Sequence, residues 1–312
     1  MIHRLKEWIE YKTHKIDPDN FTIVMTILVK DEEDVIEQNI RTHAYLGVDA
    51  FVVMDNKSTD KTPEILERLS SEFTIKVIRN DSLKFEQGMW MTRLAKIAKK
   101  EFRADWVISN DADEFWIPKN GLSLREYLKS KHSVLRVKRF NMVYIKGLNS
   151  IYESNYRINF PIFYTANDIL TEPNVPISMG KIGPKVIVNP HGLIRIRGGN
   201  HSARHIDFAR SKKGKDLADI YVCHYNVRSY EQLLGKAEKF SLLLNENGKV
   251  KLGNHCRRWG KIVSENKFPQ EFEKLIISRD EIPTLERLGV IVKDDLPATI
   301  LKMAHAGRSL VT

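Results

Sequence analysis

The sequence has little cysteine and no long apolar stretch. Cys223 and Cys256 are its two cysteines in 312 residues. Neither sits in a metal-type cysteine pair, so a disulfide framework is not expected and a reducing compartment is. Zinc-site spacing is missing too, because Cys223-His224 and His255-Cys256 are adjacent pairs rather than spaced ones. No run of about 18 apolar residues occurs, so no transmembrane helix is expected. Residues Met1 to Trp8 lack the apolar segment of a secretory signal. These absences lead to the expectation of a cytoplasmic protein, at most peripheral to a membrane. There is also no Gly-x-x-x-x-Gly-Lys loop, no Gly-x-Gly-x-x-Gly, no Gly-x-Ser-x-Gly elbow and no internal repeat.

What is present is ordinary in bulk: 42% hydrophobic and 29% charged residues, in a chain long enough to bury a core. The net charge of +10 and the pI of about 9.4 suit phosphate-bearing substrates, anionic headgroups or nucleic acid. The excess is spread along the chain, which reads mainly as a solvated surface.

The first half alternates strand and helix signals. The near-continuous apolar, β-branched run at 21–29 predicts a strand buried on both faces, 50–54 a second buried strand, and 73–78 and 105–109 a third and a fourth strand. Between them, 32–45, 58–69 and 86–100 predict helices. This alternation predicts an α/β fold with a mainly parallel sheet flanked by helices. Beyond residue 116, a basic strand is expected over 133–144, then a proline-rich loop region over 147–184. Short strands are expected at 185–188, 193–197 and 220–224, and helices from 229 onward. The expected division is a catalytic domain over 1–240, with its core at 20–240, and a helical extension over 241–312.

Chemistry concentrates at Asn110-Asp111-Ala112-Asp113-Glu114-Phe115, where a buried strand runs into a cluster of acids. On extended backbone, Asp111 and Asp113 share a side. Two adjacent carboxylates repel unless a cation sits between them or one is protonated, and a hard divalent ion whose shell is completed by phosphate oxygens meets that need. The carboxyl ends of strands in open α/β sheets are where ligands bind. The first two strands likewise end in polar clusters, Lys30-Asp31-Glu32-Glu33 and Asp55-Asn56-Lys57-Ser58-Thr59-Asp60. Asp55 is placed to hold a base or ribose there.

These phrases, in this order, resemble family 2-like glycosyltransferases of the GT-A type, in the subgroup with an Asp-x-Asp-Glu-Phe signature. Leu46-Gly47-Val48-Asp49, Gly199-Asn200-His201 and His224-Tyr225-Asn226-Val227-Arg228-Ser229-Tyr230-Glu231-Gln232, with Lys236, belong to the same resemblance. It covers about residues 20 to 240. It implies a GT-A-like, Rossmann-like fold and a nucleotide-sugar donor, UDP- or GDP-linked. Lys30, Asp31 and Asp55 would contact that donor, while Asp111 and Asp113 would hold Mn2+ or Mg2+ against its diphosphate. His224 would be a further metal ligand, with His201 as runner-up. Arg228 and Lys236 would neutralise the leaving diphosphate if both sit on one helix face. It further implies an inverting reaction, which needs a general base near the acceptor hydroxyl; Glu114 and Asp207 are the candidates beside the catalytic acid Asp113. The expected partners are the donor and a glycan or lipid-linked acceptor, in cell-surface glycan synthesis.

Two other readings stay open at the level of sequence. A metal-dependent nucleotidyl- or phosphotransferase would use the same acids. A nucleic-acid-binding protein, or a glycosyltransferase acting on nucleic acid, would use the basic strand Arg136-Val137-Lys138-Arg139-Phe140.

Overall fold

The apolar run that opens the sequence pattern forms strand β1 (Ile23–Val29), buried along almost its whole length in the computed structural model. Residues 2–80, 86–148, 150–172, 174–207, 214–246 and 253–307 are described. Strand β1 lies between β2 (Ala50–Asp55) and β4 (Trp106–Asp111), parallel to both, and β2 pairs in parallel with β3 (Ile75–Arg79). Each of these strands is followed by a crossover helix except the last. Helix α2 (Ile36–Tyr45) follows β1, α3 (Thr62–Leu69) follows β2, and α4 (Gln87–Phe102) follows β3.

Helix α2 begins four residues later than its apolar spacing predicts. Residues 32 and 33 instead donate their N–H groups to the Thr62 hydroxyl and the Asp60 carboxylate at 3.0 Å each. A side chain that satisfies a backbone donor outside the helix removes the reason to start the helix there.

The sheet has eight strands in the order β3-β2-β1-β4-β9-β6-β12-β5. Beyond β4 it changes direction: β9 (Lys185–Val188) pairs antiparallel with both β4 and β6 (Val134–Asn141). Strand β5 (Glu114–Pro118) and the long β12 (Lys215–His224) complete it. The result is an α/β fold whose mainly parallel sheet is flanked by helices. Its core packs Val24, Val52, Met54, Val107, Val186 and Val188 against Met91, Leu94, Ala95 and Ala98 of α4. That buried apolar area is the main stabilising term for such a layer.

Helix α1 (Ile2–Thr13) precedes all of this; the sequence pattern did not single it out. A small antiparallel pair, β10 (Leu193–Ile196) with β11 (Ala203–His205), lies in the same part of the chain.

The chain forms two compact units. The first comprises Met1–Arg139, Gly183–Val222 and Ile300–Thr312, and the second Phe140–Ile182 and Cys223–Thr299. The second unit has its own core of Leu233, Ala237, Trp259, Phe268, Phe272 and Leu275. It contains the helices Tyr230–Glu246 and Asn254–Ser264 expected from the sequence. It also holds short strands in the region read as loop and helix: β7 (Tyr144–Ile145) pairs with β13 (Ile276–Ile277), and β8 (Tyr156–Ile158) with β14 (Ile291–Lys293). Among the described residues no helix is long and apolar enough to cross a membrane.

Candidate active site

The parallel registers bring three polar strand ends to one edge of the first unit. Val29 aligns with Asp55, and Leu28 with Asp111. Asp31 follows β1 with φ +53°, a left-handed conformation that Asp tolerates better than most residues. Its Oδ1 accepts from the Thr59 N–H at 2.5 Å and the Thr59 hydroxyl at 3.2 Å, which ties the β1–α2 and β2–α3 loops together. Lys30 donates to the Lys57 carbonyl at 2.7 Å. Asp55 is buried, and its Oδ1 accepts the Ser58 N–H at 3.0 Å. The expected donor-binding residues thus meet at one edge, with carboxylates partly engaged in shaping it.

The acidic stretch does not stay extended. The chain turns at Ala112-Asp113 and re-enters a strand at Glu114. The alternation expected to put Asp111 and Asp113 on one side therefore does not apply. The turn has a buried frame. Asn39 of α2 donates to the carbonyls of Ala112 (2.8 Å) and Glu114 (2.9 Å), and Asn110 donates to Asn39 Oδ1 and the Glu114 carbonyl at 3.1 Å each. The Trp116 indole N–H donates to Asn110 Oδ1 at 2.8 Å, and the Trp116 backbone N–H donates to His43 Nε2 at 3.0 Å. His43 Nδ1 therefore carries the proton and donates to Asn39. Full burial pushes the pKa of His43 down to about 3. Asp113 is itself almost fully buried, and carboxylate oxygens of Asp113 and Glu114 lie within 4.8 Å of each other.

One buried and one partly buried cation lie against Asp111 and Glu114. Lys185, which opens β9, places Nζ 2.5 Å from Asp111 Oδ2 and 3.0 Å from Glu114 Oε2. Arg139 of β6 places Nη1 2.5 Å from Glu114 Oε1. Lys185 and Glu114 have no exposed side-chain surface. Asp111 and Glu114 are thus ion-paired with these two cations. Asp111 Oδ1 also accepts from Asn200 (3.2 Å) and Gln87 (3.3 Å), and Gln87 in turn accepts the Gly199 N–H at 2.8 Å. The Gly199-Asn200 backbone is left-handed at both residues, φ +73° and +56°. His201 donates from Nδ1 to the Pro184 carbonyl at 2.8 Å; burial, then the charges of Lys185 and Arg139, hold its pKa below the usual value.

Asp207, His224, Arg228 and Lys236 are the other expected residues. Asp207 is not at this edge. Its carboxylate accepts from Tyr11 of α1 at 2.6 Å, and Tyr11 accepts from Ser133, which precedes β6. Strand β6 pairs Val134 with Val188, and Val188 pairs with Val107 near the start of β4. Asp207 thus belongs with the strand starts, and geometry removes it as a base acting beside Asp111. Glu114 is held between Lys185 and Arg139 in full burial. His224, Arg228 and Lys236 belong to the second unit. There His224 Nδ1 is 2.7 Å from Asn141 Oδ1, and Arg228 donates to the Tyr225 carbonyl at 3.1 Å. The helix begins only at Tyr230, so Arg228 precedes it and the shared helix face expected for Arg228 and Lys236 does not form.

Lys185, Arg139, Asn39 and Asn110 were not expected as site residues. A lone Lys opening the apolar run Lys185-Val186-Ile187-Val188 was the available signal, because a lysine inside a core is rare unless paired.

The donor set suits a hard divalent cation. Asp111 and Asp113 offer carboxylate oxygens, the ligand type that such an ion takes. Asn200 Oδ1, buried beside Asp111, has no hydrogen-bond partner among the described residues. A buried acceptor without a donor is what a cation or a donor hydroxyl would satisfy.

The family model for glycosyl transferase family 2 matches residues 23–183, just over half of the chain. Among solved structures, S. aureus TarS 1–349 in complex with UDP-GlcNAc is 13% identical with a TM-score of 0.40, covering 93% of each chain. A longer TarS chain is 15% identical with a TM-score of 0.41, covering 83% of this chain and 44% of that one, so this chain spans under half of its length. Glucosyl-3-phosphoglycerate synthase from Mycobacterium tuberculosis, in complex with Mn2+, UDP and glucosyl-3-phosphoglycerate, is 17% identical with a TM-score of 0.38, covering 74% and 81%. No curated protein matches the sequence significantly.

Proposed function

This chain belongs to glycosyl transferase family 2, and we propose that it transfers a sugar from a UDP- or GDP-linked donor to a hydroxyl of a glycan or lipid-linked acceptor in cell-surface glycan synthesis. The observation that carries this reading is the acidic turn Asp111–Glu114 at the end of β4, held beside the polar ends of β1 and β2. The Lys30-Asp31 and Asp55–Ser58 segments shape the pocket wall for base and ribose. Asp111 and Asp113 hold Mn2+ or Mg2+, which when bound supplies positive charge against the donor diphosphate. Lys185 and Arg139 fix Asp111 and Glu114 in place before substrate arrives, so little reorganisation accompanies bond breaking. The roles that resemblance gives to His224, Arg228 and Lys236 stand as part of this proposal.

A thermal-shift panel of nucleotide sugars with Mn2+ tests it. A donor that binds only the folded state raises the apparent stability by RT ln(1 + [L]/Kd), about 2.7 kcal/mol at a hundredfold excess over Kd. The matching turnover must release nucleoside diphosphate and leave a glycoside. Release of pyrophosphate would mark nucleotidyl transfer instead and sink the proposal.

A further inference from the structure

At the opposite edge of the same unit, the starts of the strands carry a second constellation. His14 follows α1, Asp105 precedes β4, and His191 follows β9. One ligand atom of each lies within 4.8 Å of the others. Six residues of strand separate Asp105 from Asp111, roughly 20 Å at about 3.3 Å per residue, so this group is separate from the acidic turn.

The hydrogen bonds around it define its chemistry. His191 is largely buried, and its Nδ1 lies 3.2 Å from Glu10 Oε1. Donation from Nδ1 to that carboxylate fixes the tautomer with a lone pair on Nε2. That Nε2 is buried and has no hydrogen-bond partner among the described residues. A carboxylate on one ring nitrogen and an open lone pair on the other is how metal-binding histidines are oriented. Glu10 is held in turn by Lys99 at 3.1 Å. Asp105 is oriented in the same manner: Oδ2 accepts the Thr22 N–H at 2.8 Å, while Oδ1 lies 2.7 Å from His14 Nε2. The His14 and His191 rings stack 3.6 Å apart, 11° from parallel.

We propose that His14, Asp105 and His191 form a binding site for a divalent transition ion of the Zn2+ type, which cross-links helix α1 to the strand starts. Two imidazoles and a carboxylate favour Zn2+ over Mg2+. In the stack the ring lone pairs run side by side, and binding at about 2.0–2.1 Å turns the His14 ring towards His191. Its side chain is 26% exposed and ends a helix, so it can turn. The His14–Asp105 contact is then replaced by two bonds to one ion.

Metal-stripped Asp113→Asn protein, in which the acidic turn is impaired, should bind close to one equivalent of Zn2+. It should also show the intense visible bands of a low-symmetry Co2+ site and melt at higher temperature with Zn2+. Adding His14→Gln, at a partly exposed position just past the end of α1, should weaken Zn2+ binding at least tenfold and abolish the thermal shift. His191→Gln should do the same. Zn2+ binding that His14→Gln leaves unchanged, or no stoichiometric binding in the Asp113→Asn protein, would overturn the site without touching the transferase reading.

Discussion

Lys185 and Glu114 meet 3.0 Å apart with neither side chain exposed to solvent. Each charge is acceptable only because the other is there, together with Asp111 and Arg139. Truncating one member of such a group strands its partners without compensation. Lys185→Met should therefore lower stability by about 3–5 kcal/mol, measured by urea denaturation. Adding Glu114→Gln to that variant should recover part of the loss, and strict additivity of the two would rule out the coupling.

Asp113→Ala should remove the turn acid while leaving Asp111 in its ion pair. Donor hydrolysis and transfer should fall by about a thousandfold, roughly 4 kcal/mol in the barrier. EDTA should have a comparable effect on the unaltered protein. Full activity in EDTA, confirmed by metal analysis, would exclude the divalent ion.

Asn39→Leu should leave the Ala112 carbonyl without this donor and the Glu114 carbonyl with Asn110 alone. The expected loss is about 1–3 kcal/mol for an unsatisfied buried group, with a fall in transfer rate because the turn is no longer pinned. A variant that melts lower yet transfers at the normal rate would show that the frame supports the fold alone.

The pH dependence of stability should carry a signature of His43. Its pKa is about 3 in the folded protein, against the ordinary 6.5. Above pH 6.5 both states leave it neutral, and its burial carries no protonation penalty. Between 6.5 and 3 the unfolded chain takes up the proton and the folded one does not. Stability should then drop by up to about 1.4 kcal/mol per pH unit from this group. His43→Gln should flatten that slope in denaturation curves between pH 6 and 4; an unchanged slope would mean that other groups dominate.

Asp207→Asn should transfer sugar at the rate of the unaltered protein, since its carboxylate serves Tyr11 at the other end of the strands. A large loss of turnover with normal stability would restore Asp207 as a candidate base.

How much of this was legible in the sequence follows from the physics of each residue. Strands β1, β2 and β4 announce themselves because strands buried on both sides need apolar runs, and the helices between them because a packed helix needs an apolar stripe. The acids at 111, 113 and 114 were legible as a cluster. The turn at Ala112-Asp113 was not, since it is held by Asn39, 73 positions away in the sequence, working with the neighbouring Asn110. Strand β5 was hidden in the same phrase, its Phe115-Trp116-Ile117 reading simply as the border of a core. The cations Lys185 and Arg139 were hard to read for a different reason. A basic residue reads as solvated until the carboxylate that holds it is found, and that pairing spans 74 positions for Asp111 and Lys185.

The family match ends at residue 183, two positions before Lys185. A fragment cut there would keep all three acids and lose the ammonium group between them. It would also strip β9 from β4, baring the backbone of Val107 and Ile108 where Val188 and Ile187 now pair. An unpaired apolar border of that kind invites self-association. A portion of this chain that keeps this border covered must therefore extend past residue 183 and carry its own antiparallel seal.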